Sequence, residues 1–157
     1  MVRGIAPAIA LLAAAWVLLL VAAPFLPPLL SAMTYAFGSV ICHQIPERSF
    51  HLHTYQLPVC ARCVGLYSGA ALAGAWVALR RAILPLWPAA REARLITAVA
   101  AIPTLVTVVL EWAGWWQPSN VTRAMAGVPL GAAVAYVVLR ALRQRGEAAP
   151  RPTLHYE

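Results

Sequence analysis

The chain contains no lysine and no aspartate; its twelve basic residues are all arginine and its five acids all glutamate. That bias reads as the coding habit of a GC-rich genome and excludes no function. The scarcity of charge says more. Charged residues make up 11% of the chain and hydrophobic ones 62%, whereas a water-soluble domain carries about 25% charged residues. An ordinary soluble fold is thereby excluded, and lipid is the expected solvent. At 157 residues there is room for one domain. The net charge of +7 does not point to nucleic acid, because the arginines are scattered between apolar stretches rather than gathered on one element. No charge lies near the middle of an apolar stretch, so a transport role has no sequence signal.

The apolar run from residue 5 to residue 30 outlasts the ~7–15 residues of a secretory signal core. It also lacks a good cleavage pattern: Val21-Ala22-Ala23 is followed by Pro24, and Leu30-Ser31-Ala32 starts with a large residue. An uncleaved first span is expected. Spans of about 20 residues are read at residues 5–25, 63–79, 95–112 and 121–142. Pro103 and Pro129 fall inside the last two, where kinks are expected and neighbouring helices satisfy the freed carbonyls.

Four spans sort the charges. Arg3, Arg80, Arg81, Arg91, Arg94, Arg140, Arg143, Arg145 and Arg151 share the side of the termini, and Arg48, Arg62 and Arg123 take the other. Positive charge accumulates on the cytoplasmic face. The sequence therefore predicts a multi-pass protein of the cell (inner) membrane with both termini cytoplasmic. Trp112, Trp115 and Trp116 would mark the outer interface and Trp87 the inner one. Residues 1–145 would form a single membrane domain, with a disordered cytoplasmic tail over 146–157.

Gly65, Gly69 and Ala73 recur every four residues in the second span, as do Gly127, Gly131 and Ala135 in the fourth. Such spacing lets helix backbones approach closely. It supports contact between those two spans and offers a face for homo-oligomers. The bilayer is the partner the composition implies; protein partners leave no trace.

All three cysteines and three of the four histidines sit in the outer connection, residues 31–62, or at its end, between Cys42 and Cys63. The connection opens as an amphipathic interfacial helix, with Met33, Phe37, Val40 and Ile41 on one face and Ser31 as candidate N-cap. Pro46 stops it. Residues 47–53 alternate in a way that suits a short strand or extended loop. Cys60-Ala61-Arg62-Cys63 then leads into the second span.

The cysteines support three readings. Cys42, Cys60 and Cys63 with one histidine make a tetrahedral set for zinc or another transition metal, C-x-x-C spacing letting two sulfurs reach one ion. His43 is the candidate fourth ligand, with His51 and His53 as substitutes. Alternatively, Cys60 and Cys63 form a thiol–disulfide redox pair, activated at a helix N-terminus beside Arg62. The third reading is a disulfide that pins the loop of a non-catalytic scaffold. A c-type haem is excluded, since Val64 rather than histidine follows Cys63. On the same side, Glu111 ends the third span and Arg123 opens the fourth. Arg123 is unfavourable at a helix N-terminus unless a carboxylate compensates, and Glu111 is the nearest in the chain. Ser119 or Asn120 would cap that helix, and Glu47 and Arg48 read as a solvated pair.

The blocks Cys42-His43-Gln44-Ile45-Pro46-Glu47-Arg48-Ser49-Phe50 and Pro58-Val59-Cys60-Ala61-Arg62-Cys63-Val64-Gly65-Leu66-Tyr67-Ser68-Gly69 resemble a family of small bacterial and archaeal membrane proteins with a domain of unknown function. That family is marked by Cys-His-Gln…Arg-Ser-Phe and Cys-Ala-Arg-Cys…Gly-x-Tyr-x-Gly. A looser likeness runs on through Glu111, Asn120, Arg123 and Gly127. The resemblance implies a site of Cys42, His43, Arg48, Cys60, Arg62 and Cys63, without His51 or His53, and it implies no particular reaction. The expected molecule is an all-α integral membrane protein with four transmembrane helices, a short interfacial helix and a Cys/His-bearing outer loop. A metal centre is expected at Cys42, His43, Cys60 and Cys63, with Arg48, Arg62, Glu111, Asn120 and Arg123 lining its pocket.

Overall fold

A computed structural model describes residues 5–79 and 90–147. Arg3, Arg80, Arg81, Trp87 and Arg151 of the expected orientation signals lie outside these residues, as does the tail from residue 148. The described chain is helical apart from one small hairpin. Its helices are α1 (Ile5–Ala22), α2 (Pro28–Ile41), α3 (Ala61–Leu79), α4 (Ala90–Trp112) and α5 (Asn120–Glu147). The strands β1 (Ser49–Leu52) and β2 (Tyr55–Cys60) stand between α2 and α3, and short 3-10 turns cover Ala23–Phe25 and Pro46–Arg48.

Four helices are long and apolar enough to cross a membrane, over Pro7–Phe25, Ala61–Leu79, Arg91–Trp112 and Asn120–Leu142. Their surfaces fit that solvent. Leu11, Leu18, Leu72, Val99, Leu105, Val109 and Val121 are each more than half exposed, which water would penalise and hydrocarbon would not. The protein is an all-α integral membrane protein of four spans, with a minor two-stranded sheet. α4 and α5 run through Pro103 and Pro129 as single helices.

The main packing partner of α3 is α5; α1 lies against α3 and α4 against α5. Glycine sets the α3–α5 distance. A Cβ on Gly65 would collide with the carbonyl of Ala124, and one on Gly131 with the carbonyl of Leu66. The small-residue faces of the second and fourth spans thus meet each other within the chain. α4 is tied in by the Thr104 hydroxyl, which donates to the Ala126 carbonyl at 2.7 Å. At one end of the bundle Val77 and Leu139 pack with Ile9 and Tyr136. At the other, Leu20, Cys42 and Val59 pack with Trp16, Cys60, Cys63, Val64 and Tyr67.

Three local features differ from the sequence expectations. α2 starts at Pro28 rather than after Ser31, whose own N–H already donates to the Pro27 carbonyl at 3.0 Å. Proline at the first helical position needs no N–H partner and is preset in φ. α5 continues through Gly146 and Glu147, where a tail was expected; the good helix formers from Ala141 to Gln144 carry it on. The connection between α2 and α3 also contains a true antiparallel hairpin. Pairing places Ser49 opposite Cys60 and His51 opposite Gln56, with a bulge between. Pro58, which has no N–H for a ladder, falls in that bulge.

Candidate metal centre

Each cysteine sits at a junction between elements. Cys42 closes α2 with an extended backbone, its N–H donating to the Gly38 carbonyl at 2.9 Å. Cys60 ends β2, and Cys63 lies in the first turn of α3. Bringing the first junction to the second is the task of two glutamines. The Gln44 side chain donates to the carbonyls of Tyr35 and Pro58, each at 2.8 Å. Gln56 donates back to the Gln44 carbonyl at 2.6 Å and to the Ser49 hydroxyl at 3.2 Å. Gln44 adopts a positive φ of 50°, an αL conformation that costs a non-glycine residue roughly 1–2 kcal/mol. Its side-chain bonds hold the turn in place and bring Cys42 toward Cys60. Gly38 permits the approach, since a Cβ there would meet the Pro58 carbonyl.

The result is a compact sulfur triad. The Sγ atoms of Cys42, Cys60 and Cys63 all lie within 4.8 Å of one another, and all three cysteines are free. Cys60 and Cys63 sulfurs are 3.5 Å apart, and the Cys60 N–H points at the Cys42 sulfur at 3.1 Å. A thiol hydrogen bond from Cys63 lowers the Cys60 pKa to about 5. Burial opposes this, and the N–H groups of Cys63 and Arg62 and the Cys42 side chain assist. Backbone donors at the start of α3 favour the thiolate.

The histidines divide. His43 is exposed and lines the same cavity as the cysteines, outside the distance that unites the sulfurs. His51 and His53 are exposed on the hairpin. His53 occupies its two-residue turn with φ 56°, the positive value that tight hairpin turns require. Its placement is explained by the turn.

A second cluster shares a cavity with the triad through its arginines. The Glu111 carboxylate, whose side chain is 2% exposed, faces three arginines. Arg123 Nη2 is 2.7 Å away, Arg48 Nε 3.0 Å and Arg62 Nη2 3.5 Å. Arg48 therefore does not form a solvated pair with Glu47; it reaches across to α4. Arg123 also donates to Asn120 Oδ1 at 2.9 Å and to the Glu47 carbonyl at 3.4 Å, and Arg62 donates to the Thr107 hydroxyl at 3.3 Å. Asn120 in turn donates to the Ser49 carbonyl at 2.8 Å, fastening the hairpin to α5. The cap of α5 is Ser119, whose hydroxyl accepts the Thr122 N–H at 3.2 Å. Gln44, Gln56, Ser49 and Thr107 were not foreseen as parts of the site. Gln44 and Ser49 left a trace, as members of the Cys-His-Gln and Arg-Ser-Phe blocks.

One cavity of about 180 Å³ touches both clusters. It is lined by the three cysteines, by Arg48, Arg62 and Arg123, and by residues 41, 43, 44 and 45. The arrangement offers three sulfurs to a soft cation and guanidinium groups to an anion in the same cavity.

A family model described as "Predicted membrane protein (DUF2085)" matches residues 42–137, from the first cysteine into α5. An uncharacterized protein of Methanothermobacter thermautotrophicus is 33% identical over 95 residues, covering 60% of this chain and 81% of the relative. An uncharacterized protein of Methanocaldococcus jannaschii is 50% identical over 40 residues, 26% of each chain. No solved structure matches the chain.

Proposed function

The chain belongs to the family of predicted membrane proteins designated DUF2085, and we propose that its outer-loop cysteines hold one zinc-like ion, as a structural centre or as part of a reaction. The observation that carries this reading is the mutual approach of three free sulfurs within 4.8 Å. Tetrahedral zinc with Zn–S bonds of ~2.3 Å needs sulfurs about 3.8 Å apart. The 3.5 Å between Cys60 and Cys63 is close to that edge, and small rotamer changes bring Cys42 to it. Cys42, Cys60 and Cys63 would be the thiolate ligands and His43 the fourth. Arg48, Arg62, Glu111, Asn120 and Arg123 would form the polar wall of the pocket. The odd number of cysteines fits a metal better than a disulfide.

The charge pattern supports an inner-membrane protein, one domain over residues 1–145, with cytoplasmic termini and an extracytoplasmic site. A membrane-impermeant maleimide should label the cysteines of metal-stripped cells from outside; labelling only after lysis reverses the topology.

Elemental analysis of detergent-purified protein tests the metal itself. About one zinc or similar ion per chain is expected, lost in Cys42→Ser and Cys63→Ser. Protein that neither retains nor takes up metal would refute the reading. Thiol–disulfide exchange through Cys60 and Cys63 is the second reading, favoured by their 3.5 Å contact and the depressed Cys60 pKa. Alkylation with and without reductant decides it: a pair that never closes under oxidant ends that reading.

A further inference from the structure

We propose that the cavity between the cysteine triad and the arginine cluster binds a phosphate group. The first observation is charge. Arg48, Arg62 and Arg123 contribute three positive charges against the one carboxylate of Glu111. A divalent metal on three thiolates would add a net of minus one. Among the described residues the site therefore keeps at least one uncompensated positive charge, with the metal or without it.

The second observation is independent of charge. The Nε atoms of Arg62 and Arg123 are buried without a hydrogen-bond partner, and Arg123 as a residue is only 6% exposed. Buried donors are almost always satisfied, and an orphan in a native fold calls for an explanation. Both arginines line the cavity, and Arg48 spends its Nε rather than its terminal nitrogens on Glu111. Guanidinium edges present paired N–H donors that match the oxygens of a phosphate. Arg62 and Arg123 each sit in the first turn of a long helix, α3 and α5, where the free N–H groups and dipole also favour an anion. The space is sufficient: about 180 Å³, against ~30 Å³ per water in the liquid.

Such a group can arrive from two sources. The cavity lies where the spans Ala61–Leu79 and Asn120–Leu142 begin and Arg91–Trp112 ends. Trp112, Trp115 and Trp116, at the end of α4 and in the connection to α5, are exposed, as aromatic residues are at headgroup level. A lipid phosphodiester and a free phosphate ion share the chemistry that these arginines recognise.

Calorimetry on the detergent-purified full chain separates them, with inorganic phosphate as one titrant and short-chain phosphatidylglycerol as the other. Saturable binding of at least one is expected. Phosphate binding identifies the free ion as ligand, and binding of phosphatidylglycerol alone identifies a headgroup. Arg62→Gln should weaken it about tenfold or more, the value of a charge-assisted hydrogen bond. Arg48→Gln should do the same from a position whose side chain is 35% exposed, so folding is preserved. Arg91→Gln, on an exposed residue of α4, should bind as the parent does. Binding of neither titrant, or equal binding by parent, Arg48→Gln and Arg62→Gln, overturns the proposal. Metal content measured on the same samples keeps the two readings apart: metal without phosphate binding refutes this inference alone, and phosphate binding without metal refutes the metal centre alone.

Discussion

Replacing Glu111 by glutamine keeps the side-chain volume and removes the one negative charge facing three guanidinium groups. The Arg123–Glu111 pair is buried on both sides, at 7% and 2% side-chain exposure, with a 2.7 Å contact. Removing one partner of a buried pair costs about 3–5 kcal/mol, because the other charge stays desolvated. Arg62, at 17% exposure and 3.5 Å, adds a smaller share. Arg48, at 35%, is largely screened by solvent, and an exposed pair of that kind is worth ~0.2–1 kcal/mol. Glu111→Gln is therefore expected to destabilise the protein by about 3–5 kcal/mol, and Arg48→Gln by less than about 1 kcal/mol. Far-UV circular dichroism during titration of the micellar protein with sodium dodecyl sulfate measures both. Adding Arg123→Gln to Glu111→Gln should cost less than the sum of the two, with coupling on the order of 0.5–3 kcal/mol. Equal losses for Glu111→Gln and Arg48→Gln, or strict additivity with Arg123→Gln, would show that Glu111 is not the buried counter-ion of this cluster.

Gly131→Ala should lower the stability read from the same titration by about 1–3 kcal/mol through overpacking against the Leu66 carbonyl; a gain, as alanine's ~1 kcal/mol better helix propensity alone would give, would mean that α3 and α5 do not touch there. His43→Ala should reduce bound metal, while His51→Ala and His53→Ala leave it unchanged; elemental analysis that finds metal lost with His51 or His53 would move the fourth ligand to the hairpin. In metal-stripped protein the depressed Cys60 pKa means that thiolate prevails above about pH 5 and is lost as the pH falls through that value. The Cys60 alkylation rate should follow this profile, and a midpoint near the ordinary ~8.5 would contradict it.

The four spans were legible because a run of about 20 apolar residues has few alternatives. The α3–α5 contact was legible from Gly65, Gly69, Gly127 and Gly131 because small residues at this spacing serve close packing and little else. The hairpin was read in half. Alternation up to His53 suggested a strand, but Pro58 hid its partner, since proline argues against a strand unless a bulge receives it. The turn at His53 escaped notice because histidine lacks the strong turn signal of glycine or asparagine.

In the site, the three cysteines were legible from their crowding into one connection. The family blocks placed Arg48 in the pocket, but its ion pair with Glu111 was not legible, because its local neighbour Glu47 offered a simpler partner. Glu111 at the end of α4 and Arg123 at the start of α5 each oppose their own helix dipole. That local conflict was the readable sign of a contact made elsewhere, and the contact is between these two residues. Gln44 and Gln56 left no comparable signal. Their hydrogen bonds to the carbonyls of Tyr35, Pro58 and Gln44 depend on the folded path of the loop.

X-ray absorption at the zinc edge of the metal-loaded protein tests the convergence of the cysteines most directly. Three sulfur neighbours at ~2.3 Å and one nitrogen at ~2.0–2.1 Å are expected. A shell of nitrogen and oxygen with one sulfur or none would contradict that convergence.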